Sequence, residues 1–178
     1  MKKAFSAFLF ASLLTTLSAC SAQKRPDGGE GLLSIGSSAP DVAAVDQNGK
    51  PHRLSEERGH AVIVYFYPKD NTPGCTKEAC AFREAWERYQ KAGVQVFGVS
   101  ADDQKSHEQF AKEQHLPFPI LADADQAWIK AFGVSTKLGM ASRVSFLIDG
   151  QGKVAKVYPD VDPGIHADEV LKDAAALK

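Results

Sequence analysis

Residues 65–81, YFYPKDNTPGCTKEACA, decide the predicted fold of this chain. They overlap an apolar run of β-branched and aromatic residues at positions 62–67, which is typical of a buried strand. Pro68 ends that strand, because proline cannot donate a hydrogen bond to a central β-ladder. Thr72 suits the N-cap of a helix and Pro73 suits its first position. The stretch therefore predicts a strand, a short polar loop and a helix.

Two cysteines lie on this predicted helix, Cys75 in its first turn and Cys80 five residues later. The free backbone N–H groups and the dipole at a helix N-terminus favour an anion, so a thiolate is favoured at Cys75. Five helical residues place two Cα atoms ~8.6 Å apart, whereas a disulfide needs about 4.4 to 6.8 Å. The pair can therefore bridge only if the helix unwinds. The alternative is two buried structural thiols.

The spacing of Pro68, Thr72 and Cys75 resembles the peroxiredoxin motif Pro-x-x-x-Thr-x-x-Cys. The longer string at residues 65–84, with its second cysteine five residues after the first, resembles the Q-type peroxiredoxins. These proteins are also called bacterioferritin-comigratory proteins. The chain is thus also similar to the AhpC/TSA-like superfamily, which includes them. The resemblance extends from about residue 32 to the C-terminus.

This resemblance implies an α/β, thioredoxin-like fold, in which helices flank a central mixed β-sheet. It also implies an antioxidant, thiol-dependent peroxidase that reduces hydrogen peroxide and organic hydroperoxides without a cofactor or metal. Cys75 would become a sulfenic acid, and Cys80 would resolve it as an intramolecular disulfide. Thr72 and Arg143 would stabilise the leaving oxygen, and Pro68 would shield the thiolate from water. Thioredoxin or a thioredoxin-like dithiol would then reduce the disulfide.

Residues 1–19 are predicted to be a lipoprotein signal peptide, because two lysines precede an apolar run too short for a comfortable membrane span. Residues 17–20, LSAC, resemble a bacterial lipobox, which would place a lipid on Cys20. The protein would then be anchored in the cell envelope, on the periplasmic side and at the outer membrane if the cell has one. A plain signal peptide or an uncleaved anchor is the alternative. Residues 20–31 predict a flexible tether, and residues 32–178 predict one peroxiredoxin domain.

The remaining chain alternates predicted strands and helices, which favours an α/β sheet; this pattern alone allows several α/β folds. Strands are predicted at 42–45, 51–54, 61–67, 94–100, 144–148 and 153–158, and helices at 73–92, 103–114, 125–132 and 166–177. His107 and His115 lie eight residues apart on one predicted helix, and we interpret both as solvent-facing.

The composition is that of an ordinary globular protein, with 178 residues, 44% hydrophobic and 24% charged. The formal net charge of −1 predicts no polybasic surface for nucleic acid. We expect a monomer. Two other functions stay open: an extracytoplasmic thiol–disulfide oxidoreductase and a copper-binding lipoprotein of thioredoxin fold. The Cys-x4-Cys spacing differs from the Cys-x-x-Cys of the first and the Cys-x-x-x-Cys of the second.

Overall fold

The computed structural model describes residues 24–177. The predicted signal peptide and the predicted lipidation site, Cys20, lie outside the described residues. Among residues 24–177, no helix has the length and apolar character needed to span a bilayer.

Strands and helices alternate along most of the described chain. The strands are β1 (Ala44–Asp46), β2 (Pro51–His52), β3 (Ala61–Phe66), β4 (Val94–Ser100), β5 (Ile120–Ala122), β6 (Thr136–Lys137), β7 (Met140–Ala141), β8 (Val144–Ile148) and β9 (Val154–Tyr158). The helices are α1 (Pro73–Glu84), α2 (Trp86–Ala92), α3 (Gln104–Gln114), α4 (Ala127–Ala131) and α5 (His166–Ala175).

Seven of these strands form one mixed sheet in the order β2-β1-β5-β4-β3-β8-β9. The central strands β3, β4 and β5 run parallel, and β8 pairs antiparallel with β3. The outer pairs, β8 with β9, β1 with β5 and β1 with β2, are also antiparallel. The predicted central mixed sheet flanked by helices is therefore confirmed.

The sheet is buried on both faces, and β3 supplies both cores in alternation because successive strand residues point to opposite sides. One core contains the side chains that α1, α2, α3 and α5 turn towards the sheet, and the other contains those of α4 and the N-terminal segment. From β3 and the residue after it, the first core takes Ile63, Tyr65 and Tyr67, and the second takes Val62, Val64 and Phe66. The first core is the one that holds Cys75.

The helix predicted at 73–92 is two helices, because α1 ends at Glu84 and α2 begins at Trp86, with Ala85 between them at φ −85° and ψ −1°. Helix α2 is tied to α5, where the Tyr89 hydroxyl donates to the Ala167 carbonyl at 2.8 Å. Strand β5 was not predicted. It is three residues long and follows Pro119 closely, so its own sequence carries too little pattern; it forms because it pairs with β4.

The described part of the predicted tether, residues 24–31, forms a local turn. An isolated bridge joins Lys24 and Glu30, and the Arg25 guanidinium donates to the Gly31 carbonyl at 2.8 Å. Arg25 also pairs with Asp27 at 3.1 Å. One guanidinium can satisfy several carbonyl oxygens because its five N–H donors fan out in a plane. This segment therefore has more local structure than its polar, glycine-rich sequence predicts.

Candidate active site

Cys75 lies in the first turn of α1, and its residue is only 2% exposed. Thr72 is the N-cap, Pro73 begins the helix, and Asn71 before them adopts a left-handed conformation with φ 57° that turns the chain. Cys80 lies further along the same helix and is half-buried. In the described part of the chain both are free thiols.

Arg143 reaches Cys75 because of the register between β3 and β8. The two strands are antiparallel, and Phe66 at the end of β3 pairs with Val144 at the start of β8. Arg143 therefore lies at the end of the sheet where β3 ends and the chain continues towards α1. Its Nη2 lies 3.2 Å from the Cys75 Sγ, across 68 positions of sequence. Gly74 leaves room for this contact, since a Cβ there would lie 3.2 Å from the same nitrogen.

Glu78 completes this group, although its role was not predicted from the sequence. It lies one helical turn after Cys75, is fully buried, and accepts a hydrogen bond from Arg143 Nη1 through Oε2. Its other oxygen, Oε1, has no hydrogen-bond partner among the described residues. The available signal was its position three residues after Cys75, because such residues share one side of a helix.

The two charges of this pair respond differently to burial. Burial raises the pKa of the Glu78 carboxyl to about 7, although Arg143 acts in the opposite direction. Burial by itself would lower the pKa of the Arg143 guanidinium, but the Glu78 carboxylate and the Cys75 sulfur raise it above its usual value. The guanidinium therefore keeps its charge at neutral pH. The proton that the pair gains or loses near neutrality belongs to Glu78.

Thr72 and Pro68 lie on the loop that precedes Cys75. The Thr72 hydroxyl donates to the Lys69 carbonyl at 3.1 Å and makes no cap hydrogen bond to α1, although Thr72 stands at the N-cap position. The hydroxyl proton that was predicted to stabilise the leaving oxygen is therefore engaged with Lys69, and the hydroxyl keeps lone pairs with which it can accept a hydrogen bond. Pro68 is half-buried directly after β3. Pro68, Thr72, Cys75 and Arg143 thus all lie at one end of the sheet.

A family model described as the AhpC/TSA family matches residues 35–157. The chain belongs to the AhpC/TSA family. It is 44% identical over 149 residues to a chloroplastic peroxiredoxin Q of Sedum lineare, covering 82% of this chain and 80% of the relative. It is 43% identical over 150 residues to a chloroplastic peroxiredoxin Q of Oryza sativa subsp. japonica, covering 83% and 69%.

Solved structures of the AhpC/TSA family agree with this assignment. The fold is similar to peroxidoxin BcpB from Mycobacterium tuberculosis, with a TM-score of 0.77, 33% identity and coverage of 82% of this chain and 99% of that chain. It is also similar to peroxiredoxin Q from Xanthomonas campestris, with a TM-score of 0.75, 33% identity and coverage of 82% and 97%. The predicted thioredoxin-like fold and the resemblance to Q-type peroxiredoxins are confirmed. The chain is a thiol-dependent peroxidase.

The same comparisons show that the predicted location is wrong. The relatives from Sedum lineare and Oryza sativa are named as chloroplastic proteins, which contradicts a lipid-anchored place in a bacterial envelope. The prediction depended on residues 17–20, a four-residue pattern outside the described residues. Basic residues followed by an apolar run are a weak basis for an address, because targeting segments of several kinds share charged and apolar stretches.

In this AhpC/TSA-family chain, a second buried cluster holds the loop between β3 and α1. The Asp70 carboxylate accepts hydrogen bonds from the Tyr67 hydroxyl at 2.8 Å and the Ser106 hydroxyl at 2.7 Å. It also pairs with His107 Nδ1 at 2.8 Å, and His107 Nε2 lies 3.1 Å from the Leu121 carbonyl oxygen. Burial would raise the pKa of Asp70, but these hydrogen bonds, with His107 foremost, lower it below its usual value.

The interpretation of His107 as solvent-facing is wrong, whereas His115 is exposed as predicted. His107 is fully buried because it lies on the side of α3 that faces the sheet, three residues before the buried Phe110. The pattern gave no sign of this, since a histidine needs partners to be buried, and its partner Asp70 lies 37 positions away. Among residues 24–177, no group of three His, Cys, Asp or Glu side chains is arranged to hold a metal ion.

Proposed function

We propose that Cys75 is the peroxidatic cysteine and Cys80 the resolving cysteine of this peroxidase, acting on hydrogen peroxide and organic hydroperoxides. The observation that carries the proposal is the contact of 3.2 Å between Arg143 Nη2 and the buried Cys75 Sγ in the first turn of α1. A cation and free helix N–H groups around one sulfur favour its thiolate, which is the nucleophilic form.

In the first step the Cys75 thiolate attacks the terminal oxygen of the peroxide. A sulfur–oxygen bond forms, the oxygen–oxygen bond breaks, and the leaving hydroxide or alkoxide takes a proton from solvent to become water or an alcohol. The fixed charge of Arg143 stabilises the negative charge that develops on the leaving oxygen. Thr72 accepts the hydrogen bond of the peroxide O–H, because its own proton is engaged with Lys69. Pro68 shields the thiolate from water.

In the second step the Cys80 sulfur attacks the Cys75 sulfenic acid, which gives a disulfide and releases water. Both residues lie on α1, so this step needs the first turns of the helix to unwind. Loop closure over five residues is cheap, which favours a bridge within one chain and a monomeric cycle. A thioredoxin-like dithiol then reduces the disulfide by exchange. We place the whole cycle in one domain, residues 32–178.

The test follows one turnover in the purified chain with Cys75→Ser and Cys80→Ser variants. The wild type should consume peroxide continuously with a dithiol reductant and yield a disulfide that peptide mapping assigns to Cys75 and Cys80. Cys80→Ser should consume about one equivalent without added thiol and stop at a sulfenic acid that dimedone traps. Cys75→Ser should consume none. Equal activity in Cys75→Ser and the wild type would overturn the assignment, and a disulfide-linked dimer would overturn the intramolecular step.

A further inference from the structure

Both ends of helix α3 contact the segment that must rearrange during turnover. Near the start of α3, Ser106 and His107 bind Asp70 in the loop before α1. At the last residue of α3, Gln114 accepts from Arg83 through its backbone carbonyl at 2.6 Å, and its side-chain oxygen lies 3.7 Å from the Cys80 Sγ. Cys75 lies between these two contacts, and Cys80 takes part in the second.

The contact at Asp70 is the stronger of the two. Its carboxylate has three side-chain donors, and its backbone N–H donates to an Asp102 carboxylate oxygen at 2.9 Å. Both ring nitrogens of His107 face acceptors, the Asp70 carboxylate and the Leu121 carbonyl. The His107 ring therefore links α3 both to the loop before α1 and to β5. Removing either partner leaves buried polar atoms of the other without a hydrogen bond, which is costly.

We propose that Asp70 and His107 are a positioning pair that fixes the β3–α1 loop while α1 unwinds beyond it. The pair touches no reacting atom. It holds the loop that carries Pro68 and Thr72 and that ends three residues before Cys75. The inference rests on the proposed cysteine cycle, and it adds the residues that set the balance between the folded helix and the unwound one.

A fixed loop has opposite effects on the two chemical steps. Peroxide attack needs Cys75 to be preorganised against Arg143, so a loosened loop slows this step. Disulfide formation needs α1 to unwind, so a loosened loop raises the population of the unwound state and accelerates this step. A residue that only supported the fold would slow both steps when it is removed. The opposite signs therefore separate positioning from general stability.

The experiment compares His107→Asn and Asp70→Asn with a matched control, His115→Asn. The control makes the same change at the C-cap of the same helix, at an exposed residue whose φ of 52° asparagine tolerates. Hydrogen peroxide is mixed with each pre-reduced protein and quenched at set times. Mass spectrometry then counts thiol, dimedone-trapped sulfenic acid and Cys75–Cys80 disulfide. Circular dichroism checks that each variant is folded.

We expect peroxide attack in His107→Asn and Asp70→Asn to slow by about tenfold or more, since a misplacement of about 1 Å can cost ~10²-fold. Sulfenic acid should convert to disulfide several-fold faster than in the wild type, and over-oxidation by excess peroxide should fall. His115→Asn should match the wild type in both steps. Ser106→Ala, which removes one donor of Asp70 and keeps the contact with His107, should shift both rates in the same directions by a smaller factor.

Two results would overturn the positioning role in folded variants. One is that both steps slow together, and the other is that both rates match those of His115→Asn. If His107→Asn and Asp70→Asn do not fold, Ser106→Ala decides between the same outcomes. Failure of the cysteine cycle itself would be distinct, because the wild type would then form no Cys75–Cys80 disulfide.

Discussion

Helix α1 holds its two cysteines in very different surroundings. Cys75 is buried in the first turn, where Arg143 contacts its sulfur and Glu78 holds the other side of the guanidinium. Cys80 is half-buried, and within residues 24–177 its sulfur makes one long side-chain contact, to Gln114 at 3.7 Å. The Cys75 thiol therefore lies among charged groups that are already in place, whereas the Cys80 thiol has a single weak contact among the described residues.

This difference suits the two chemical tasks that we propose. A nucleophile needs fixed charges around it before the reaction begins, because donors that are already oriented cost no reorganisation in the transition state. A resolving thiol needs to leave its place, so tight contacts would work against it. The same helix serves both because its N-terminus supplies oriented N–H groups to Cys75 while Cys80 lies beyond their reach.

The largest expected effect comes from removing the charge beside Cys75. Arg143→Ala should lower kcat/KM for peroxide by about 10²- to 10³-fold, since loss of one preorganised donor to a developing oxyanion costs that much. Alkylation of Cys75 by iodoacetamide at pH 7 should also slow, because the thiolate loses its counter-charge. Stopped-flow peroxide consumption and intact-mass alkylation rates measure the two effects.

Arg143→Lys and Arg53→Ala serve as controls for this prediction. Lysine keeps the charge but cannot bind Glu78 and the sulfur with two nitrogens of one plane, so its activity should fall between those of the wild type and the alanine variant. Arg53 is exposed and lies on another part of the surface, so its removal should change little. If Arg143→Ala and Arg53→Ala were equally active, the contrast between the two cysteines would not be electrostatic.

How far this site was predictable depends on how far apart its residues lie in sequence. The strand, loop and helix at residues 62–84 follow from local rules, so Thr72, Pro73 and Cys75 take their predicted places. The Arg143 contact depends on the β3–β8 register, and only the family resemblance indicated it. The pairing of Asp70 with His107 depends on how α3 packs, which no local pattern encodes.

The next effect, in order of size, concerns the buried carboxyl beside Cys75. Because the pKa of Glu78 is raised to about 7, the folded state keeps this proton between pH 4.5 and about 7 while the unfolded state loses it. The unfolded state then binds fewer protons, so this group's contribution to stability falls as pH rises through that window. The loss is about 3 kcal/mol across the window, because each pKa unit corresponds to ~1.4 kcal/mol.

Glu78→Gln removes this titration and tests the sign. The free energy of unfolding of the wild type minus that of Glu78→Gln should decrease from pH 4.5 to pH 7.5 in urea titrations. Glu84→Gln is the matched control: it lies at the exposed end of the same helix and should show almost no pH-dependent difference. A difference that increases with pH would show that Arg143 stabilises ionised Glu78 more than burial destabilises it.

The smallest expected effect concerns the side-chain contact that holds Cys80. Gln114→Ala removes the side-chain contact to Cys80 and keeps the backbone carbonyl that Arg83 binds. A thiol is a weak donor and the contact is long, so its loss should cost less than about 1 kcal/mol of stability.

Conversion of sulfenic acid to disulfide in Gln114→Ala should quicken by less than about fivefold, which is the rate equivalent of ~1 kcal/mol. The rate of peroxide attack should not change. Gln109→Ala is the control, since it is the same change on α3 at an exposed side chain that donates to Glu113. A tenfold fall in the rate of peroxide attack in Gln114→Ala, with a normal rate in Gln109→Ala, would mean that the contact at Cys80 also orients Cys75. The surroundings of the two cysteines would then not act independently.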